Sequence, residues 1–171
     1  MKTFKTIAVV KHPREIVWQT IRDRLDELAP LLGNIEDVSV QSRTDGPDGV
    51  RLVNVWRAKV PIPESLTAVI KPDMLAWTDH ADWRDRTWEC QWQITPHFFS
   101  DRIHCVGATR YEDAMAGRGT RITFQGDLNV LASNIPGASA LLESFTTQLI
   151  PRNFQKLGKA VAQHLEATSK P

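Results

Sequence analysis

The 171-residue chain is long enough to bury one substantial core, and its 21 Lys and Arg against 20 Asp and Glu leave no charge excess to grip a nucleic-acid backbone or an anionic bilayer. Its composition, 42% hydrophobic and 24% charged, excludes a disordered chain, and no apolar run approaches the ~20 residues of a membrane span, so neither nucleic acid nor integral membrane association is expected. Met1 to Val10 lacks a long apolar segment with a small-residue cleavage site, so a cytoplasmic location is expected.

Thr3 to Val10 is rich in β-formers and predicts a strand. Pro13 then suits the first turn of a helix and Glu15 complements its dipole. Val17, Trp18, Ile21, Leu25 and Leu28 recur at helical spacing until Pro30 and Gly33, as one helix or two short ones. Ile35 to Ser42 and Val50 to Lys59 read as strands joined through the turn-forming run Thr44 to Gly49. Beyond Pro61 and Pro63, strands are expected at Leu66 to Lys71, Met74 to Trp83, Thr87 to Thr95, Arg102 to Glu112 and Thr120 to Val130, a meander of antiparallel neighbours. Leu142, Phe145, Leu149, Phe154, Leu157, Val161 and Leu165 then mark one buried helical stripe, with a kink or break expected at Pro151. These elements define a single α+β domain over residues 1–171, with a long C-terminal helix across the sheet and an enclosed apolar pocket between them.

Alternation along the strands sorts their side chains onto two faces. Trp88, Cys90, Trp92 and Ile94 fall on the inward face, as do Ile122, Phe124, Gly126, Leu128 and Val130. Gly126 leaves room either for a ligand or for close approach of the long helix, for instance at Gly158. Asn54, Asp79, Thr109 and Tyr111 are polar residues in an inward register, where burial is costly without a partner, and together they could line one cavity. Asp79 alternatively pairs with an arginine or sits where its strand twists out to water. Trp56, Trp77, Trp88 and Trp92 serve either as core or as stacking surfaces for a flat ligand. With Phe124, Gly126, Phe145 and Leu149 these complete the candidate ligand-binding set, and Asp79 and Tyr111 are the candidate proton donors or acceptors.

Cys90 and Cys105 lack the Cys-x-x-Cys spacing of a zinc or redox site, and symmetry about a turn at Thr95 to Ser100 predicts them as reduced, buried and adjacent across a hairpin. His80 and His104 fall outward, and His97 lies in the turn; no His-x-x-x-His spacing suggests a metal. No Gly-x-Ser-x-Gly elbow, phosphate loop or dinucleotide fingerprint appears. Leu131 to Gly137 reads as an irregular segment in which Leu131 and Ile135 cover the pocket.

The opening segment Ile7-Ala8-Val9-Val10-Lys11-His12-Pro13-Arg14-Glu15-Ile16-Val17-Trp18 resembles the first strand and Pro-x-Glu-x-Val-Trp helix start of the START-like, or SRPBCC, superfamily, and the order of elements along nearly the whole chain is similar to its helix-grip fold. The resemblance implies a curved antiparallel sheet of about seven strands around a long C-terminal helix, with short helices after the first strand. It further implies a cavity for a lipid, sterol, polyketide or other hydrophobic molecule, and operation without a cofactor. Three functions remain in competition. The chain binds or carries a small hydrophobic molecule; or it is a cyclase or dehydratase on a polyketide-like substrate, with Asp79 or Tyr111 moving a proton; or it is a module that binds a protein partner.

Overall fold

The computed structural model describes residues 2–62, 64–68, 70–131, 148 and 150–169. The first strand, β1 (Lys2–Val10), feeds α1 (Arg14–Asp23), which Pro13 precedes and Glu15 opens. Val17, Trp18, Thr20 and Ile21 form the buried face of α1. The chain leaves helical geometry at Arg24 (φ −123°), so a separate short helix, α2 (Leu25–Leu28), follows and runs into a 3-10 turn at Ala29–Leu31 around Pro30. The apolar periodicity therefore resolves into two short helices.

Six further strands complete the sheet: β2 (Ile35–Gly46), β3 (Gly49–Ala58), β4 (Ala76–Arg84), β5 (Glu89–Pro96), β6 (Ile103–Ala114) and β7 (Gly119–Val130). Their order is β1-β7-β6-β5-β4-β3-β2, and every neighbouring pair is antiparallel. The long helix α3 (Ile150–Ser169) lies over the face that carries the buried side chains. It touches β1 where Gly158 faces Ala8; a Cβ added to the glycine would come within 2.7 Å of the Ala8 Cβ. His164 of α3 meets Glu27 of α2 at 3.3 Å, tying the helices together.

Several expectations are corrected. Leu66 to Lys71 is not a strand: a 3-10 turn at Glu64–Leu66 is followed by a bond from Ile70 N to Leu66 O of 2.8 Å. The backbone closes on itself there, while the fully buried Leu66 and Ile70 plug the core. Trp88 precedes β5 in a left-handed conformation (φ 54°), which removes it from the alternation of Cys90, Trp92 and Ile94. Its ring packs on Trp18 of α1 and carries the Arg14 guanidinium 4.2 Å from its centroid. Val130, expected inward, is 37% exposed because the buried part of β7 ends at Leu128.

The β5–β6 hairpin also has a longer turn than symmetry about Thr95 to Ser100 predicts. Cys90 pairs with Thr109 and Cys105 with Ile94, so the two cysteines share the buried face and are free, yet four positions of register separate them. Phe98 accounts for the extra length: it turns into the core with 2% exposure, and the loop lengthens to let it in. Pro151 is the second residue of the described part of α3, and most of the residues that precede it lie outside the described residues. Leu142, Phe145 and Leu149 of the stripe, and Ile135 of the covering segment, lie outside the described residues. Leu131 is 46% exposed and bonds through its backbone to Arg102.

Candidate functional site

Alternation along four consecutive strands delivers one set of side chains to the space under the helices. Asn54 and Trp56 come from β3, Trp77, Asp79, Ala81 and Trp83 from β4, Cys90, Trp92 and Ile94 from β5, and Thr109 and Tyr111 from β6; Phe124 of β7 joins them. Ile21, Arg22 and Leu25 of α1 and α2, with Ile150, Asn153, Phe154 and Leu157 of α3, close the other side. The space left between them is about 70 Å³. That is room for a few water molecules and less than half of the roughly 150 Å³ cavity known to take benzene. Aromatic side chains fill most of the space between sheet and helix.

Three aromatic groupings surround it. Trp56 and Trp77, cross-strand partners, stack with centroids 5.7 Å apart and planes 12° from parallel. Trp18 meets Trp83 and Tyr111 edge-on at 4.8 and 5.0 Å. Phe154 packs on Phe124 at 4.6 Å and Trp92 at 5.0 Å, with Phe4 completing the group. Trp92 is anchored by a hydrogen bond from its Nε1 to Thr109 Oγ1, 3.0 Å.

Gly126 and Gly107, paired with each other across β7 and β6, form the floor beneath Trp92. A Cβ at Gly126 would lie 2.6 Å from the Trp92 ring and 2.9 Å from Phe4. The room at Gly126 therefore belongs neither to a ligand nor to Gly158 of the helix; two aromatic rings of the sheet occupy it.

The polar side chains behave differently. Asp79 sits between Asn54 and Ile94 in register, crowded by protein on every side but with part of its surface open. Desolvation pushes its carboxyl up from 3.8 to about 6, against the smaller opposing influence of the Trp56 and Asn54 side chains. The Trp56 side chain supports the charge on the carboxylate, although its Nε1 forms no hydrogen bond of good geometry. Asn54 Oδ1, Trp83 Nε1 and both side-chain polar atoms of Asn153 are likewise buried without a partner. The arginine considered for Asp79 does not arrive: Arg22 lines the cavity but gives its guanidinium to Asp23 at 2.9 Å and Asp85 at 3.5 Å. Burial raises Tyr111 well above 10 and Cys105 to about 12, and Cys90 is raised well above its ordinary value, so all three are neutral near pH 7. Among the described residues, no cluster of His, Cys, Asp and Glu could hold a metal ion.

Of the residues picked out from the sequence, Asn54, Trp56, Trp77, Asp79, Trp92, Thr109, Tyr111 and Phe124 line the cavity. Trp88 and Gly126 stand outside its lining, and Phe145 and Leu149 lie outside the described residues. His97 is exposed and meets Thr78 Oγ1 at 2.8 Å, away from the cavity. Sequence reasoning missed Trp83, Arg22 and Asn153 as lining residues. Trp83 continues the two-residue alternation of Trp77, Asp79 and Ala81; Arg22 lies four residues after Trp18; and Asn153 is the polar member of the spacing Ile150, Asn153, Leu157, Val161.

No family model matches the chain, and no curated protein matches its sequence. Solved structures do match. The protein TTHA0849 from Thermus thermophilus superposes with a TM-score of 0.71 at 20% identity over 99% of this chain and 100% of its own. The Zhui aromatase/cyclase from Streptomyces sp. R1128 gives 0.71 at 16% over 99% and 96%. Norcoclaurine synthase from Thalictrum flavum gives 0.60 at 13% over 96% and 86%. The chain has the helix-grip fold. No helix among the described residues is long and apolar enough to cross a membrane.

Proposed function

We propose that the chain binds or carries a small, largely apolar, ring-bearing molecule in the cavity between sheet and helices. One observation carries this reading: Asn54 Oδ1, Trp56 Nε1, Trp83 Nε1 and Asn153, all buried without a hydrogen-bond partner of good geometry, converge on one apolar space beside the desolvated Asp79 carboxyl. Each such atom costs stability when buried alone, and a ligand with its own polar group would satisfy some of them. Because the cavity is only about 70 Å³, occupancy requires lining rings to part, and Phe154 on the helix side is well placed to do so. Native mass spectrometry of freshly expressed protein, with extraction and identification of co-purified small molecules, tests the proposal. A defined bound compound is expected. Ligand-free protein whose tryptophan fluorescence is unmoved by apolar aromatic probes would overturn it.

A second reading is favoured by a specific observation, the Asp79 carboxyl lifted to about 6 beside the cavity. A group poised near neutrality can both take and give a proton, and the similarity in fold to an aromatase/cyclase supports a cyclase or dehydratase acting on a polyketide-like substrate. Asp79 would move the proton and Tyr111, held neutral, would donate a hydrogen bond. In that case Asp79→Asn abolishes turnover while leaving substrate binding in place.

A further inference from the structure

The chemistry of the cavity narrows its occupant, granted the reading that the cavity binds a small molecule. Asp79 is a desolvated carboxylate, crowded by protein though partly open, for which the described residues supply no cation. Arg22 of α1 is the sole cationic residue in the described lining, and Asp23 and Asp85 hold it. The titratable groups that feel Asp79 from the sheet are Cys90 of β5 and Cys105 and Tyr111 of β6, all neutral near pH 7. Asn153, facing the cavity from α3, carries no charge. Beside Asp79 on the neighbouring strand, Asn54 holds its Oδ1 buried with no donor. Two acceptors thus stand side by side, Asp79 with only the neutral Trp56 and Asn54 side chains to support its charge and Asn54 Oδ1 with no donor, in a space walled by the stacked rings of Trp56 and Trp77.

An anion brought here would meet Asp79 at close range. A neutral molecule would leave the carboxylate without a counter-charge in a poorly solvated space. A cation would supply hydrogen bonds to both acceptors and gain from ring faces that attract positive charge.

We infer that the occupant is a protonated amine carried on a single aromatic ring, with its ammonium group between Asp79 and Asn54 Oδ1 and its ring against Trp56 and Trp77. Binding of such a cation needs the ionised carboxylate. The affinity is therefore full above the Asp79 pKa of about 6 and falls as pH drops through it, since an alkylamine remains protonated up to about 10.

Benzylamine, benzyl alcohol and benzoate are three probes of nearly one shape and three charges, and calorimetric titration of the intact chain with each at roughly pH 8 tests the assignment. Benzylamine is expected to bind at least about tenfold more tightly than benzyl alcohol, with benzoate weakest. Asp79→Asn should erase that preference while still binding benzyl alcohol, which also certifies that the variant is folded. Below pH 6 the benzylamine affinity of the wild type should fall while that for benzyl alcohol stays level. Equal binding of alcohol and amine, a preference for benzoate, or an amine preference that survives Asp79→Asn would each overturn the cation assignment and leave the cavity as a binding site. Failure of all three probes to bind would overturn both.

Discussion

Two aromatic regions face each other across the same cavity and are built to different standards. Around Phe4, Trp92, Phe124 and Phe154 every ring has ring partners, the Trp92 N–H has its acceptor in Thr109, and Gly107 and Gly126 leave the indole a close-fitting floor. Around Trp56, Trp77, Asn54 and Asp79 the rings also stack, but an indole N–H and an amide oxygen are buried unpartnered and a carboxylate has no counter-ion. Evolution of a core removes such debts where packing is the only demand. The contrast separates rings that hold the fold from rings that wait for an occupant.

Substitutions that treat the two regions alike should give unlike results. Trp92→Ala removes a ring from the satisfied side, orphans Thr109 and opens a cavity, and is expected to cost about 3–5 kcal/mol in chemical denaturation. Gly126→Leu forces side-chain atoms into the Trp92 and Phe4 rings and should cost about 1–3 kcal/mol, without the gain expected if the site were empty space awaiting ligand. An unchanged or raised melting temperature for that variant would restore a ligand pocket at β7. On the unsatisfied side, Trp56→Phe keeps much of the stack and deletes an N–H with no hydrogen bond of good geometry, so its effect should stay within about 1 kcal/mol. A large loss would place Trp56 with the structural rings.

Much of this contrast was legible in the sequence, because the two-residue alternation of β3, β4 and β6 already put Asn54, Asp79, Thr109 and Tyr111 on the inward face. Alternation carries no information on what a neighbouring strand contributes, however, and that is where the expectations failed. Gly126 looked like space because Phe4 and Trp92, the rings that fill it, sit on strands far away in sequence. The separation of Cys90 from Cys105 followed from Phe98 turning inward, a choice that turn composition does not encode. Trp88 left the inward register through a left-handed backbone that a bulky residue seldom adopts. Arg22 and Asn153 were hidden for another reason: each is the polar residue on a helical face read for its apolar neighbours.

The central claim is that Asp79 is kept at the cavity in spite of a cost to the fold. Its folded-state pKa of about 6 lies above the ordinary 3.8, so the folded chain holds this proton more tightly than the unfolded chain does. The penalty from the ionised group is therefore full above pH 6, shrinks as pH falls from 6 to 3.8, and is absent below; across that gap it amounts to about 3 kcal/mol. Urea unfolding of the wild type and Asp79→Asn across this range measures the cost directly. The account predicts a variant more stable by up to about 3 kcal/mol near pH 8, with the advantage fading toward pH 4. A variant less stable than the wild type near pH 8 would contradict it, for the ionised carboxylate would then be a bonded part of the core rather than a group held for a ligand.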